Sequence, residues 1–206
     1  MSLSRTLDRV EQVLLLAALI WFFRQVWPSN IDFGNYFLYS LRAMLVVISE
    51  AAIILFMVFR KPTGDISVRA YDWIIAIGAT IGPLFVRVEG DPIWLLGGVI
   101  IQTLGIAIHL GAKLSLNLSF GIVAANRGVR QNGLYRFVRH PMYFGYVVAH
   151  TGFFLTSPTL RNAIVYAIVW ALFVLRIFAE ERVLSQDEKY RAFMEKTRYR
   201  LVPGVF

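Results

Sequence analysis

Cysteine is absent from this 206-residue chain, which excludes disulfides, thiolate metal sites and a cysteine nucleophile. Histidine is scarce, with only His109, His140 and His150, so no metal centre is expected. Charge is thin as well: 17% of residues are charged and 57% hydrophobic, with mean hydropathy +0.60, against roughly a quarter charged and half apolar in a soluble domain. Acidic residues are the rarer sign, 13 Asp and Glu against 21 Lys and Arg, for a net charge of +8. In a soluble protein that excess would point to nucleic acid. Here no basic patch interleaved with stacking aromatics lies outside the membrane-edge segments, and the cytoplasmic loops of membrane proteins collect Lys and Arg. Nucleic acid is therefore excluded as a partner.

The apolar residues fall in blocks rather than along one face. A helix needs about 20 residues to cross the hydrocarbon of a bilayer, and six segments qualify or come close: Val10–Trp27, Arg42–Phe59, Tyr71–Val88, Ile93–Gly111, Tyr143–Thr156 and Asn162–Phe178. The fifth is short and pairs with the sixth as a hairpin over Ser157-Pro158. The first has an uninterrupted apolar run only from Val13 to Phe23, and no small-residue cleavage site follows it, so it reads as an uncleaved anchor. With six crossings and an internal N-terminus, the cytoplasmic side holds Arg5, Arg9, Arg60, Lys61, Arg69, Lys113, Arg127, Arg130, Arg136, Arg139 and every basic residue from Arg176 onward. Arg24, Arg42, Arg87 and Arg161 remain outside, as the positive-inside trend requires. The expectation is an all-α polytopic membrane protein of about six transmembrane helices, both termini cytoplasmic, with a cytoplasmic amphipathic tail. Gly78 and Gly82 in the third span, and Ala107 and Gly111 in the fourth, are small residues four apart that allow close helix approach.

Ionisable groups within spans are costly and invite functional readings. Glu50, midway along the second span, fits either a carboxyl that fixes helix packing or a functional group, and the sequence leaves both open. His109 and His150 read as structural. After Lys113, Leu114, Leu116, Leu118, Phe120 and Ile122 alternate with smaller or polar residues, which predicts an extended connector along the membrane surface. Asn132-Gly133 marks a turn. Pro141 suits the first position of the fifth helix, which puts Arg139 and His140 at its N-terminus. There they either bind an anionic ligand group or simply flank a span. Arg176 and Glu180 share one face of the sixth helix and can pair. The adjacent Glu180 and Glu181 are able to accept hydrogen bonds from a ligand's hydroxyls or neutralise a cation, or else belong to a solvated helix end. Leu184, Tyr190, Phe193 and Met194 stripe an amphipathic continuation, and Arg198–Phe206 closes the chain as a surface-hugging tail.

From about Ile101 to Phe206 these blocks together resemble the isoprenylcysteine carboxyl methyltransferase family and the related phospholipid N-methyltransferases. The resemblance is carried by Leu118-Ser119-Phe120-Gly121, by the Gly133-x-Tyr135-x-x-x-Arg139-His140-Pro141-x-Tyr143 core, by Glu180-Glu181, and by Tyr199-Arg200-Leu201-Val202-Pro203. It divides one membrane domain into residues 1–112, without a signature, and a methyltransferase-like 113–206. It implies a membrane-embedded enzyme that uses S-adenosylmethionine to methylate a lipophilic or lipidated acceptor among membrane lipids, with its cofactor pocket open to the cytoplasm. By the same resemblance Tyr135, Arg139, His140, Tyr143, Glu180 and Glu181 are expected to bind the cofactor, with His140 and Arg139 in the catalytic role. A carboxylate acceptor needs no base, whereas an amine or thiol does. Prenylcysteine, phospholipid amine and small hydrophobic thiol or amine all remain open as acceptors, and a non-catalytic scaffold or transporter subunit is the reading from another class.

Overall fold

A computed structural model of the chain describes residues 3–26, 58–116 and 119–206. These contain six α-helices: α1 (Leu3–Val26), α2 (Ala70–Ile81), α3 (Leu95–Leu116), α4 (Pro141–Thr156), α5 (Leu160–Leu184) and α6 (Glu188–Lys196). Glu50, with nearly all of the second expected span, lies outside the described residues. Two helices, α3 and α5, are long and apolar enough to cross a membrane. Leu96, Ile100 and Leu104 on α3 and Ile164, Ile168 and Leu175 on α5 are exposed. Their spacing makes continuous apolar stripes, which suit lipid rather than water.

The helix ends gather at two levels. At one, the chain turns from α4 into α5 across Ser157–Thr159, the hairpin expected from Ser157-Pro158. Thr159 caps α5 by accepting from the Asn162 amide. The wholly buried Asn162 donates to the carbonyls of Arg87 and Ser157, both at 2.8 Å, and accepts from the Arg87 amide at 3.0 Å. The third expected span reaches this level as α2 followed by a 3-10 turn, Gly82–Phe85. The α-helical pattern gives way there because Pro83 has no N–H to donate.

At the opposite level lie the start of α4, the end of α5, α6, the tail and the loop that follows α3. The first turns of α1 also lie here. Asp8 and Glu11, three apart on one helical face, are buried against two arginines from distant segments. Glu11 accepts from Arg60 at 2.6 Å and Arg127 at 2.7 Å on one oxygen, and from the Ile122 and Val123 amides at 2.6 and 2.8 Å on the other. Asp8 accepts from the same arginines at 2.9 and 2.7 Å. Glu11, which falls inside the first expected span, therefore meets cations and amides and not hydrocarbon, so its charge is compensated.

One expectation is corrected. Leu114 and Leu116 belong to α3 and not to an extended connector, because the helix satisfies its backbone internally up to that point. The extended character begins later and is short. Ile66 and Ala125 form an antiparallel bridge, flanked by hydrogen bonds from Ser67 N to Ala124 O at 2.8 Å and from Asn126 N to Asp65 O at 2.9 Å.

α3 and α4 lie with their backbones in contact. A Cβ on Gly105 would stand 2.2 Å from the Ala149 amide nitrogen, one on Gly145 2.5 Å from that of His109, and one on Gly152 2.2 Å from that of Gln102. Gly78 and Gly82 serve α2 in the way the sequence suggests, facing Leu172 and Val169 of α5 at 3.2 and 2.5 Å. Gly111 faces only Leu134, at an ordinary 3.4 Å.

Candidate active site

Pro141 opens α4 and His140 is its N-cap residue, so Arg139 and His140 sit where the chain leaves the loop and enters the helix. Their backbone is tied to the tail: the Arg139 amide donates to Tyr199 O at 2.9 Å and the His140 amide to Arg200 O at 2.8 Å. Upstream, Gly133 has φ +63° and a Cβ there would stand 2.2 Å from Ser115 Oγ. Only glycine combines that backbone with that proximity, and the short 3-10 turn it starts, Gly133–Arg136, carries the buried Tyr135.

The end of α5 answers from the other side. Arg139 Nε donates to Glu181 Oε1 at 2.7 Å, and its Nη1 donates to the carbonyls of Thr197 and Arg198 at 2.8 and 2.7 Å. Arg200 donates to the second oxygen of Glu181 at 2.8 Å. His140 lies between the two glutamates, with Nε2 3.2 Å from Glu181 and Nδ1 3.6 Å from Glu180. Glu180 further accepts a short hydrogen bond from the Tyr143 hydroxyl and pairs with Arg176 at 3.3 Å, the four-apart pair expected from the sequence. Arg182 anchors the same helix end to α2 through the buried Asp72.

Burial alone would depress the His140 pKa, but the hydrogen bonds and negative charges of Glu180 and Glu181 outweigh it and hold the value above the ordinary 6.5. With a carboxylate at each ring nitrogen, the imidazolium is the form that satisfies both. Tyr135 is driven the same way for a different reason: burial first, then the charge of Glu180, raise its phenol well above 10.

These groups border a cavity. Tyr135, Arg139, His140, Tyr143 and Glu180 line it, and Glu181 stands behind the wall. Arg127 and Arg130 from the loop, and Tyr190 and Phe193 from α6, line it as well. Sequence reasoning did not single out Arg127, Arg130 or Tyr190 as site residues, because Tyr190 read as one member of an amphipathic stripe and the arginines as membrane-edge charge. His109 and His150 stay away from the wall. His109 packs 3.8 Å from the Tyr146 ring, and His150 stacks 4.6 Å from Tyr166 while accepting from Trp170 at 3.3 Å.

No curated protein matches the chain. Residues 94–186, from the start of α3 to just past the end of α5, match the model of the isoprenylcysteine carboxyl methyltransferase (ICMT) family. That stretch contains Tyr135, Arg139, His140, Tyr143, Glu180 and Glu181 and stops short of the tail. Over this stretch, somewhat under half of its length, the chain is similar to the ICMT family, whose members are membrane methyltransferases that use S-adenosylmethionine as methyl donor.

Proposed function

We propose that this protein transfers the methyl group of S-adenosylmethionine to a lipophilic acceptor of the isoprenylcysteine type, and that the group methylated is an ionised carboxylate. The observation that carries the choice of acceptor is the placement of His140 between Glu180 and Glu181. Both of its ring nitrogens face glutamates, an arrangement that favours the imidazolium, which has no lone pair with which to take a proton. Glu180 is engaged by Tyr143, Arg176 and His140. An amine or thiol acceptor would need a base free to act on it. A carboxylate does not.

The residues present suit such a donor. A buried phenol hydroxyl without a hydrogen-bond partner among the described residues, that of Tyr190, stands on the cavity wall, and a buried polar group left in that state points to a ligand. When bound, the donor supplies an electrophilic methyl on a cationic sulfonium, displaced in line. The protein's part is alignment and exclusion of water. Glu180, on the wall, would accept from hydroxyls or an ammonium, and Tyr135 and Tyr143 offer rings beside it. His140, clamped by both glutamates and by the tail, fixes where the wall begins. Arg139 and Glu181 hold that wall by neutralising each other.

Orientation follows from the charges. Arg87 and Arg161 stand at the hairpin level, while Arg60, Arg127, Arg139, Arg176, Arg182 and Arg200 stand at the cavity level, which the positive-inside trend makes cytoplasmic. Asp8 and Glu11 are at that same level, which supports an N-terminus on the side of the tail and an even number of crossings, six in this reading.

The test is incubation of the purified protein with methyl-labelled S-adenosylmethionine and, in parallel, a prenylated cysteine with a free carboxyl, a phosphatidylethanolamine and a hydrophobic thiol. The expected product is an alkali-labile methyl ester from the first alone. Label retained in alkali-stable amine or thioether products would overturn the carboxylate assignment. Absence of saturable donor binding would return the protein to the scaffold class.

A further inference from the structure

Three arginines border the cavity, and two are already spent. Arg127 donates to Asp8 and Glu11, both at 2.7 Å. Arg139 donates to Glu181 and to two carbonyls of the tail. Drawing Arg139 away to a ligand would strand Glu181 and both carbonyls in a buried place, which is unfavourable. Arg130 is different. Its Nε donates to the Ser119 hydroxyl at 3.4 Å, and it forms no ion pair with a carboxylate among the described residues.

A second, independent observation lies beside it. Tyr190 is 4% exposed, lines the cavity, and its hydroxyl has no hydrogen-bond partner among the described residues. The loop that carries Arg130 is stitched to the helix that carries Tyr190: Gln131 Nε2 donates to Lys189 O at 3.4 Å, and Asn126 Nδ2 to Asp187 at 3.1 Å. Arg130 and Tyr190 are each one residue away from the first of these contacts, on the same stretch of wall. Both offer donors. The guanidinium is a planar fork matched to a carboxylate, and the phenol adds a single O–H. Burial, followed by the charges of Glu181 and Glu180, raises the Tyr190 pKa, so the phenol keeps its proton as a donor.

We propose that Arg130 and Tyr190 form the anion-holding end of the cavity and take the carboxylate of the methyl donor's amino-acid moiety. This rests on the donor assignment above and moves the carboxylate contact from Arg139, where its place at a helix N-terminus would put it, to a residue with hydrogen bonds to spare. Glu180 then serves the ammonium or the hydroxyls.

The experiment compares two ligands on the full-length protein in detergent. S-adenosylhomocysteine keeps the carboxylate; its decarboxylated analogue, 5′-(3-aminopropylthio)adenosine, does not. Arg130→Gln should weaken S-adenosylhomocysteine binding by about ten- to hundred-fold in calorimetry and leave the decarboxylated analogue unchanged. Tyr190→Phe should weaken only the first ligand, by about three- to tenfold. Arg130→Lys, which keeps the charge and loses the fork, should fall between parent and Arg130→Gln, and it carries the test if the glutamine variant does not fold. No loss, or an equal loss for both ligands, overturns the assignment. A parent protein that binds neither ligand refutes the donor reading itself, and this proposal with it.

Discussion

Replacing Glu11 by glutamine tests whether the N-terminal helix is a structural part of the matched domain. The Glu11 side chain is 0% exposed. One of its oxygens receives two guanidinium hydrogen bonds at 2.6 and 2.7 Å, and the other receives the adjacent Ile122 and Val123 amides. An amide of the same shape can keep one of these oxygens, but it turns two N–H groups toward donors and removes the charge that balances Arg60 and Arg127. Removing one partner of a buried ion pair typically costs about 3–5 kcal/mol, a large share of a total stability of about 5–15 kcal/mol. Unfolding in mixed SDS micelles, followed by tryptophan fluorescence, should show that loss. Arg127→Gln should be similarly damaging, and the double variant should lie about 1–3 kcal/mol above the sum of the two, because removing both charges relieves the imbalance left by either. A Glu11→Gln cost under about 1 kcal/mol, or strict additivity, would refute the network as a source of stability.

Three further expectations concern other parts of the molecule. His140 has a folded-state pKa above the 6.5 of the unfolded chain, so its contribution to stability is complete below that pH and is lost as pH rises through the folded value. A pH series of unfolding midpoints should show that decline in the parent and a flatter profile in His140→Gln. Gly105→Ala puts a methyl 2.2 Å from a backbone nitrogen and should destabilise by at least about 1–3 kcal/mol, whereas Gly111→Ala, facing a side chain at 3.4 Å, should be near neutral; equal midpoints for the two would contradict the packing described. Reporter fusions after Phe206 and within residues 31–36 should report opposite sides of the membrane, and the same side for both would remove the first crossing.

Much of the layout of the candidate site was legible in the sequence because it depends on local features. Pro141 announces the helix start that places His140, Glu180 and Glu181 close the last apolar helix, and Arg176 meets Glu180 through simple helical spacing. What was not legible depends on distance. No pattern in the sequence marks Asp8 and Glu11, and only folding brings Arg60 and Arg127 to them from 49 and more residues away. The glycines that set the α3–α4 contact were passed over because they recur at seven residues, Gly98 with Gly105 and Gly145 with Gly152, and not at the four-residue spacing usually sought. Their matched period on consecutive helices was the available signal. The alternation from Leu114 onward misled because two turns of helix can carry a period-2 pattern by chance, and nothing in the composition marks where α3 stops. Arg130 and Tyr190 differ from their neighbours only in what they fail to contact, which a sequence cannot express.

The glycine seam also divides the molecule mechanically. Where backbone meets backbone, at Gly98, Gly105, Gly145 and Gly152, α3 and α4 have no side chain to reorient, so neither can slide or part without breaking those contacts, and the two behave as a single post. The other face of α4 is built of rings: Tyr143 and Tyr146 lie 5.3 and 5.5 Å from Phe173, and His150 lies against Tyr166 and Phe173. Rings can tilt where backbones cannot. Any widening that admits a long apolar chain beside α4 therefore falls on the aromatic seam with α5, and the post on the far side keeps the N-terminus of α4, and His140 with it, in register while that happens.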